Sequence, residues 1–279
     1  MQTMTTYSFK DKKALVRVDL NVPQDANGNV TDDSRARAVV PTVKKILKDG
    51  GSAILMSHLG RPKGKVNPTM SLKPIAEHLA GLLGVPVQFA TDCVGPDAKA
   101  KAAALKPGEV LLLENLRFHP EEEAGDEGFA KSLAALGDVY VNDAFGTAHR
   151  AHASTTIVAK FFPKDKLFGS LMQAEIDSVG KVLESPQRPM TAIVGGSKVS
   201  SKIDVLENLI GKCDELIIGG GMANTFLQAQ GIDVGKSLAD PAFHKTALDI
   251  MAAAKAKGCE ILLPVSYTHL RAHETTEHL

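Results

Sequence analysis

Eight arginines stand against 24 lysines in this chain, and four of them (Arg35, Arg61, Arg117 and Arg150) fall in or beside short polar loops that follow apolar runs. A guanidinium is a planar fork matched to carboxylate and phosphate, so its placement in a lysine-rich chain marks where an anion would be held. The densest stretch is 139–154, VYVNDAFGTAHRAHAS, in which a strand-like run leads into a loop carrying His149, Arg150 and His152. In SHLGRPKG, His58 and Arg61 supply donors around Gly60, whose lack of a side chain lets backbone approach a ligand. ENLRF places Arg117 after the next strand, where it reads equally as a surface arginine. Asp19 and Asn21 of VDLNVP can hydrogen-bond the hydroxyls of a small ligand, although Asp-x-Asn at a strand end also makes an ordinary turn.

Other chemistries fit these residues less well. His149 and His152 have no cysteine or paired carboxylate beside them to complete a metal set, and an adjacent arginine suits an anion better than a cation. There is no nucleophile elbow and no evident Cys–His pair for covalent catalysis. A second phosphate site is written later in the chain. Gly195-Gly196-Ser197-Lys198 follows a strand and opens a helix, so backbone N–H groups, the helix dipole and Lys198 or Lys202 can meet phosphate. Gly219-Gly220-Gly221, after the next strand, would let a flat base or another phosphate come close to backbone. Each also reads as a tight strand-to-helix turn.

The elements that must position these loops alternate. Strand-like runs at 14–18, 53–56, 85–89, 110–113 and 139–141 are separated by helical periodicity at 39–47, 72–83 and 129–136. Strand then helix, repeated, is the form of a parallel sheet with crossover helices, whose strand ends open onto the ligand crevice. Gly84 and Gly137 stop helices, Ser71 and Asp126 are candidate N-caps, and Pro41 either interrupts a helix or marks its first turn. A helix at 174–183 ends at Ser185-Pro186, after which strands at 191–194, 216–218 and 260–263 alternate with helices at 200–210, 222–230 and 242–257. That is too few strands for a closed doubly wound sheet.

Composition narrows the classes. At 279 residues two domains are expected, and 32 basic against 32 acidic residues leave no global field to draw nucleic acid or a membrane surface. Three widely spaced cysteines, no apolar leader and no run near the ~18 residues of a membrane span indicate a reducing, cytoplasmic setting. After Pro264 the chain reads VSYTHLRAHETTEHL, which shows neither period and looks like translated adapter DNA, so it is set aside as a foreign end.

In chain order, VDLNVP, SHLGRPKG, ENLRF, NDAFGTAHRAHAS, GGSKVSSK and IIGGGMANTF resemble the phosphoglycerate kinase family, and the resemblance covers nearly the whole chain up to Pro264. It implies an α/β protein of two Rossmann-like parallel-sheet domains joined by a helix. Residues 1–172 would bind 3-phosphoglycerate or its acyl phosphate, 173–189 would be linker helix and hinge, and 190–264 would be part of the domain for Mg2+ with ATP or ADP. By matching motif, Asp19, Asn21, Arg35, His58, Arg61, Arg117, His149 and Arg150 would hold substrate, and Gly196, Ser197, Lys198, Lys202 and Gly220 the nucleotide. Arg35 and Lys198 would stabilise charge during direct transfer between 1,3-bisphosphoglycerate and ADP. The family has an Asp where Ser266 stands, and its acidic residues for ribose and metal have no match here, so the Mg2+ ligand is expected in a missing C-terminal part. The chain is therefore expected to bind 3-phosphoglycerate as a monomer without turnover, with its parent gene encoding the kinase. A dinucleotide dehydrogenase is disfavoured by the lack of G-x-G-x-x-G at the first strand-to-helix turn.

Overall fold

The first unit's strands read as unbroken apolar runs because helices cover both faces of their sheet. The computed structural model describes residues 3–25, 28–184 and 186–264. It separates into two units, Met1–Ser178 and Val179–Leu279. The stretch 265–279, set aside above as foreign, lies outside the described residues.

Unit 1 contains, in order, β1 (Lys13–Val18), α1 (Ser34–Lys48), β2 (Ser52–Met56), α2 (Lys73–Leu83), β3 (Val87–Phe89), α3 (Pro96–Ala104), β4 (Val110–Leu112), α4 (Pro120–Ala124), α5 (Glu127–Ala134), β5 (Val139–Asp143) and β6 (Lys166–Phe168). Helix α6 (Ser170–Glu184) carries the chain across the division between units. The sheet is parallel throughout, in the order β3-β4-β2-β1-β5-β6. Ala14, Val16 and Val18 of β1 pack with Val39, Val43 and Ile46 of α1 and with Ile75 and Leu79 of α2. The opposite face sets Leu15, Ile54 and Tyr140 against Ala98 of α3 and Phe129 and Leu133 of α5.

Several boundaries differ from the sequence expectation for physical reasons. Helix α1 runs from Ser34 straight through Pro41, which is exposed, so water can take the carbonyl its missing N–H leaves free. Val85 and Pro86 drop out of β3, since proline cannot donate to the ladder. Asp126 caps α5, its carboxylate accepting from Phe129 N–H at 2.7 Å. Ser71 lies one residue too early to be the cap of α2, whose N-cap is Leu72, although its hydroxyl accepts from Lys73 N–H. Helix α3 and strand β6 were not expected; three of the nine α3 residues are charged, and β6 is three residues long.

Unit 2 holds β7 (Thr191–Gly195), α7 (Ile203–Leu209), β8 (Glu215–Gly219), α8 (Gly221–Ala229), α9 (His244–Ala256) and β9 (Glu260–Leu262). Its parallel sheet, β7-β8-β9, buries Leu216 and Ile218 against Met222, Phe226, Ala247 and Ile250. On the other face Ile193 is 75% exposed, while Ile217, in register with it, and Leu262, paired with Ile217, are partly buried. The expected helix at 200–210 is split into a short 3-10 turn, Val199–Ser201, and α7. Ser201 Oγ bonds the Lys198 carbonyl at 3.0 Å there, a local bond that competes with the helical ladder.

Candidate functional site

In unit 1 the chain steps from β1 to β2 on one side and returns to β5 on the other, so the carboxyl ends of β1 and β5 flank the point where strand order reverses. Ligand crevices form at such points. The loops leaving β1, β2, β4 and β5 all contribute here to one cavity of about 280 Å³, walled by Asp19, Asn21, Arg35, His58, Gly60, Arg61, Arg117, Gly146, Thr147 and Arg150. Four arginines thus line one cavity, and among the described residues Asp19 is the only carboxylate residue on its wall. A larger neighbouring cavity of about 550 Å³ shares Asn21 and Gly60 but has no cationic residue on its wall among the described residues. It lacks the charge to hold an anion, so the smaller cavity is the site.

Beneath the cavity lies a buried polar scaffold that sequence reading missed. Arg17, inside β1 and 1% exposed, donates from Nε to Ser154 Oγ at 3.0 Å, to the Val18 carbonyl, and from its second terminal nitrogen to His58 Nδ1 at 3.1 Å. Ser154 Oγ in turn donates to Glu122 Oε1 at 2.6 Å, and Ser154 N–H to Oε2 at 2.9 Å. The available signal was an arginine inside an otherwise apolar run, ALVRV, which can be buried between covered faces only with partners.

This scaffold sets the state of His58. A guanidinium donates to Nδ1, so Nδ1 is the acceptor and Nε2 carries the proton. Burial first, then Arg17 and Arg117, hold its pKa down at about 2. His58 is therefore a neutral donor among cations. The unfolded imidazole takes a proton near pH 6.5 and the folded one does not, so stability is lost as the pH falls below about 6.5, by ~1.4 kcal/mol per unit from this group. His58→Gln, which keeps an acceptor for Arg17, should flatten the acid limb by that slope in denaturant titrations at several pH values. An unchanged slope would place the imidazole in water.

The remaining wall residues are held by backbone and by one another. Asp19 pairs with Arg35, its other oxygen accepting from Asn21 N–H at 3.1 Å, and Asn21 Oδ1 accepts from Gly60 N–H at 2.8 Å. Both expected hydroxyl ligands are thus partly engaged within the protein. Asn115, also overlooked, ties the loops together, its amide donating to the Leu59 and Met70 carbonyls at 2.8 and 2.9 Å. Arg117 is 5% exposed; it donates to the Gly60 carbonyl at 2.9 Å and contacts Glu123 at 3.3 Å. Arg61 is exposed. His149 is not among the wall residues; its Nε2 accepts from Arg150 Nε at 3.2 Å.

The loop of Arg150 rests on Gly125, which ends α4 at φ +67°, and a Cβ there would lie 2.5 Å from the Ala151 carbonyl oxygen. Gly125→Ala therefore meets both backbone strain and collision, and should lower stability by about 1–3 kcal/mol. Thermal unfolding reads the change, and a variant as stable as the parent would show that this loop shifts freely.

In unit 2, the backbones of the two glycine-rich strand ends interlock. Met222 N–H donates to the Gly196 carbonyl at 2.9 Å, while a Cβ on Gly220 would come 2.9 Å from that oxygen and one on Gly221 2.8 Å from the Ser197 carbonyl. At Gly220 and Gly221, then, the chain itself fills the side a Cβ would occupy, while Gly219 faces open space. Ser197, Lys198 and Lys202 are exposed, and neither ammonium has a hydrogen-bond or ion-pair partner among the described residues. Helix α7 begins only after the 3-10 turn, so its dipole does not open at Lys198 as the sequence suggested.

Among the described residues no helix is long and apolar enough to cross a membrane. The family model described as phosphoglycerate kinase matches residues 4–278. The phosphoglycerate kinase of Moorella thermoacetica is 57% identical over 262 residues, covering 94% of this chain and 66% of that protein. That of one Methylorubrum extorquens strain is 58% identical over 257 residues, covering 92% of this chain and 64% of its own length. The solved phosphoglycerate kinase of Coxiella burnetii superposes with a TM-score of 0.81 at 40% identity, covering 95% of this chain and 66% of that one. The chain thus spans slightly less than two thirds of these relatives. With such identity across nearly all of its own length, it belongs to the phosphoglycerate kinase family.

Proposed function

We propose that unit 1 binds 3-phosphoglycerate and its acyl phosphate, and that the reaction served is reversible phosphoryl transfer between 1,3-bisphosphoglycerate and ADP. The observation that carries this reading is the convergence of Arg35, Arg61, Arg117 and Arg150, with neutral His58, on one small cavity at a strand-order reversal. Such a wall suits a ligand with a phosphate at one end and a carboxylate at the other. Asp19 and Asn21 would orient its hydroxyl, and His149 would brace Arg150. In a loose transition state charge spreads over the equatorial oxygens, and Arg35, half exposed at the cavity wall, is the cation assigned to it.

Lys198 and Lys202, with Gly196, Ser197 and Gly220, are the groups assigned to nucleotide phosphates, and Lys198 to the transferring group. Mg2+ would neutralise phosphate charge when bound. Among the described residues the only three-ligand cluster, Asp92, Cys93 and His119, lies in unit 1, so no residue of unit 2 is assigned to the metal. We read the two sheets as Rossmann-like domains joined by α6, with substrate at 1–172 and nucleotide at 190–264, in a cytoplasmic monomer. The exposed Ile193 on the unit 2 sheet favours a second reading for this chain as it stands, binding of 3-phosphoglycerate without turnover.

Calorimetry with 3-phosphoglycerate, run beside a coupled assay for its ATP-dependent phosphorylation, tests both. Binding with turnover supports the kinase, binding alone the second reading, and no binding rejects the site assignment. Affinity should fall with added salt, since charge supplies most of the attraction.

A further inference from the structure

We propose that Cys213 and Cys259 are an oxidative modification site of unit 2, joined as an intramolecular disulfide when the chain meets a two-electron oxidant such as hydrogen peroxide. The two thiols are distant in sequence, where nothing marks them as a pair. The fold brings their sulfurs to 3.6 Å, both inside the same apolar cluster. The approach follows from the sheet: Glu215 pairs Glu260 in register, and Glu260 N–H donates to the Asp214 carbonyl at 2.8 Å. Cys213 and Cys259 therefore enter neighbouring parallel strands side by side. Each backbone is pinned to the helix before it, Cys213 N–H to Leu209 and Cys259 N–H to Ala254, at 3.0 and 2.9 Å. A bonded pair sits at about 2.05 Å, so the sulfurs need to close by about 1.5 Å, within reach of side-chain rotation.

The two cysteines are buried alike, Cys213 5% and Cys259 4% exposed, but differ in what borders them. Cys259 lines an open cavity of about 520 Å³ with Met251, Ala252, Lys255, Gly258, Glu260 and Ile261, which gives a small oxidant a route to it. Cys213 is not among that cavity's wall residues, and its thiol donates to the Leu209 carbonyl at 3.1 Å. Cys259 is therefore the attacking sulfur. Its thiolate displaces hydroxide from peroxide as the O–O bond breaks, giving a sulfenic acid. The Cys213 thiolate then attacks that sulfur and the S–O bond breaks, releasing a second hydroxide. The two thiol protons convert both hydroxides to water, so the dithiol is oxidised by two electrons and peroxide is reduced by two. Burial first, and then the neighbouring Cys213, push the Cys259 thiol up to about 12. The reaction is consequently slow at neutral pH and quickens by about tenfold per unit from pH 7 to 9, with the thiolate fraction.

The test treats the full chain with hydrogen peroxide, then quenches, denatures, alkylates and maps peptides. The expected result is a peptide pair joined through Cys213 and Cys259, lighter by two hydrogens, with Cys93 still alkylated. Joining through Cys93, crosslinked dimers, or independent overoxidation of the two thiols would overturn the proposal. Folding of the Cys213→Ser or Cys259→Ser variants is not needed for the second measurement. In glutathione buffers the effective concentration for closing this bond should be at least about tenfold higher in the folded parent chain than in urea. An equal or lower value in the folded state would show that the fold does not favour the bond.

Discussion

Exchanging Arg17 for leucine should lower the unfolding free energy by about 3–5 kcal/mol, the range for removing one partner of a buried charge pair. The cause is what remains behind. Glu122 is 1% exposed, and its carboxylate faces Arg17 across Ser154. Burial works against the Arg17 charge and Glu122 works for it, so each ion is tolerable only with the other. Without the guanidinium, the buried Glu122 carboxylate loses its opposing charge, which costs stability. Arg17→Lys should recover little, because one ammonium cannot span Ser154 Oγ, the Val18 carbonyl and His58 Nδ1. The double variant Arg17→Leu with Glu122→Leu should recover most of the loss, since no buried charge is then left unpaired. Urea titrations of the three variants measure the coupling. A loss below about 1 kcal/mol in Arg17→Leu would mean that water reaches the pair.

That network explains which parts of the site could be read in sequence. Arg35, Arg61, Arg117 and Arg150 stood out because each lies in or beside a polar stretch after a strand, and segments after parallel strands meet at one edge by geometry alone. Arg17 did not stand out, because in ALVRV it occupies a strand position where side-chain alternation carries no warning when both faces are covered. Asn115 and Ser154 were equally silent, since a buried amide or hydroxyl that ties loops together has the composition of any turn. In unit 2, GGG was legible as a place where backbone comes close, but not as to whose. Gly196 and Ser197 of the same chain fill the side a Cβ of Gly220 or Gly221 would occupy. The sulfur contact at Cys213 was illegible for a further reason: it depends on the register of β8 with β9, and single-sequence periodicity does not set register between strands.

Arg117→Ala should weaken 3-phosphoglycerate binding by about 30-fold or more, whereas Arg61→Ala should cost about fivefold or less. Both guanidinium groups face the same cavity, so the difference rests on burial. Arg117 is 5% exposed and already fixed by the Gly60 carbonyl and Glu123, which leaves little side-chain entropy to lose when an anion arrives. Its burial also means that water screens it weakly, and that an anion beside it gains the strength of a desolvated contact. Arg61 is exposed, has no partner among the described residues and must be ordered on binding, while salt screens its charge. Arg117→Lys should rescue little, since a single ammonium cannot hold the Gly60 carbonyl and present a planar pair of donors together. Calorimetric titration with 3-phosphoglycerate at two salt concentrations separates the cases, with the Arg61 contribution vanishing at high salt and most of the Arg117 contribution persisting. Equal losses from the two alanine variants would show that the cavity acts only as a diffuse positive patch, and the substrate assignment would lose its structural basis.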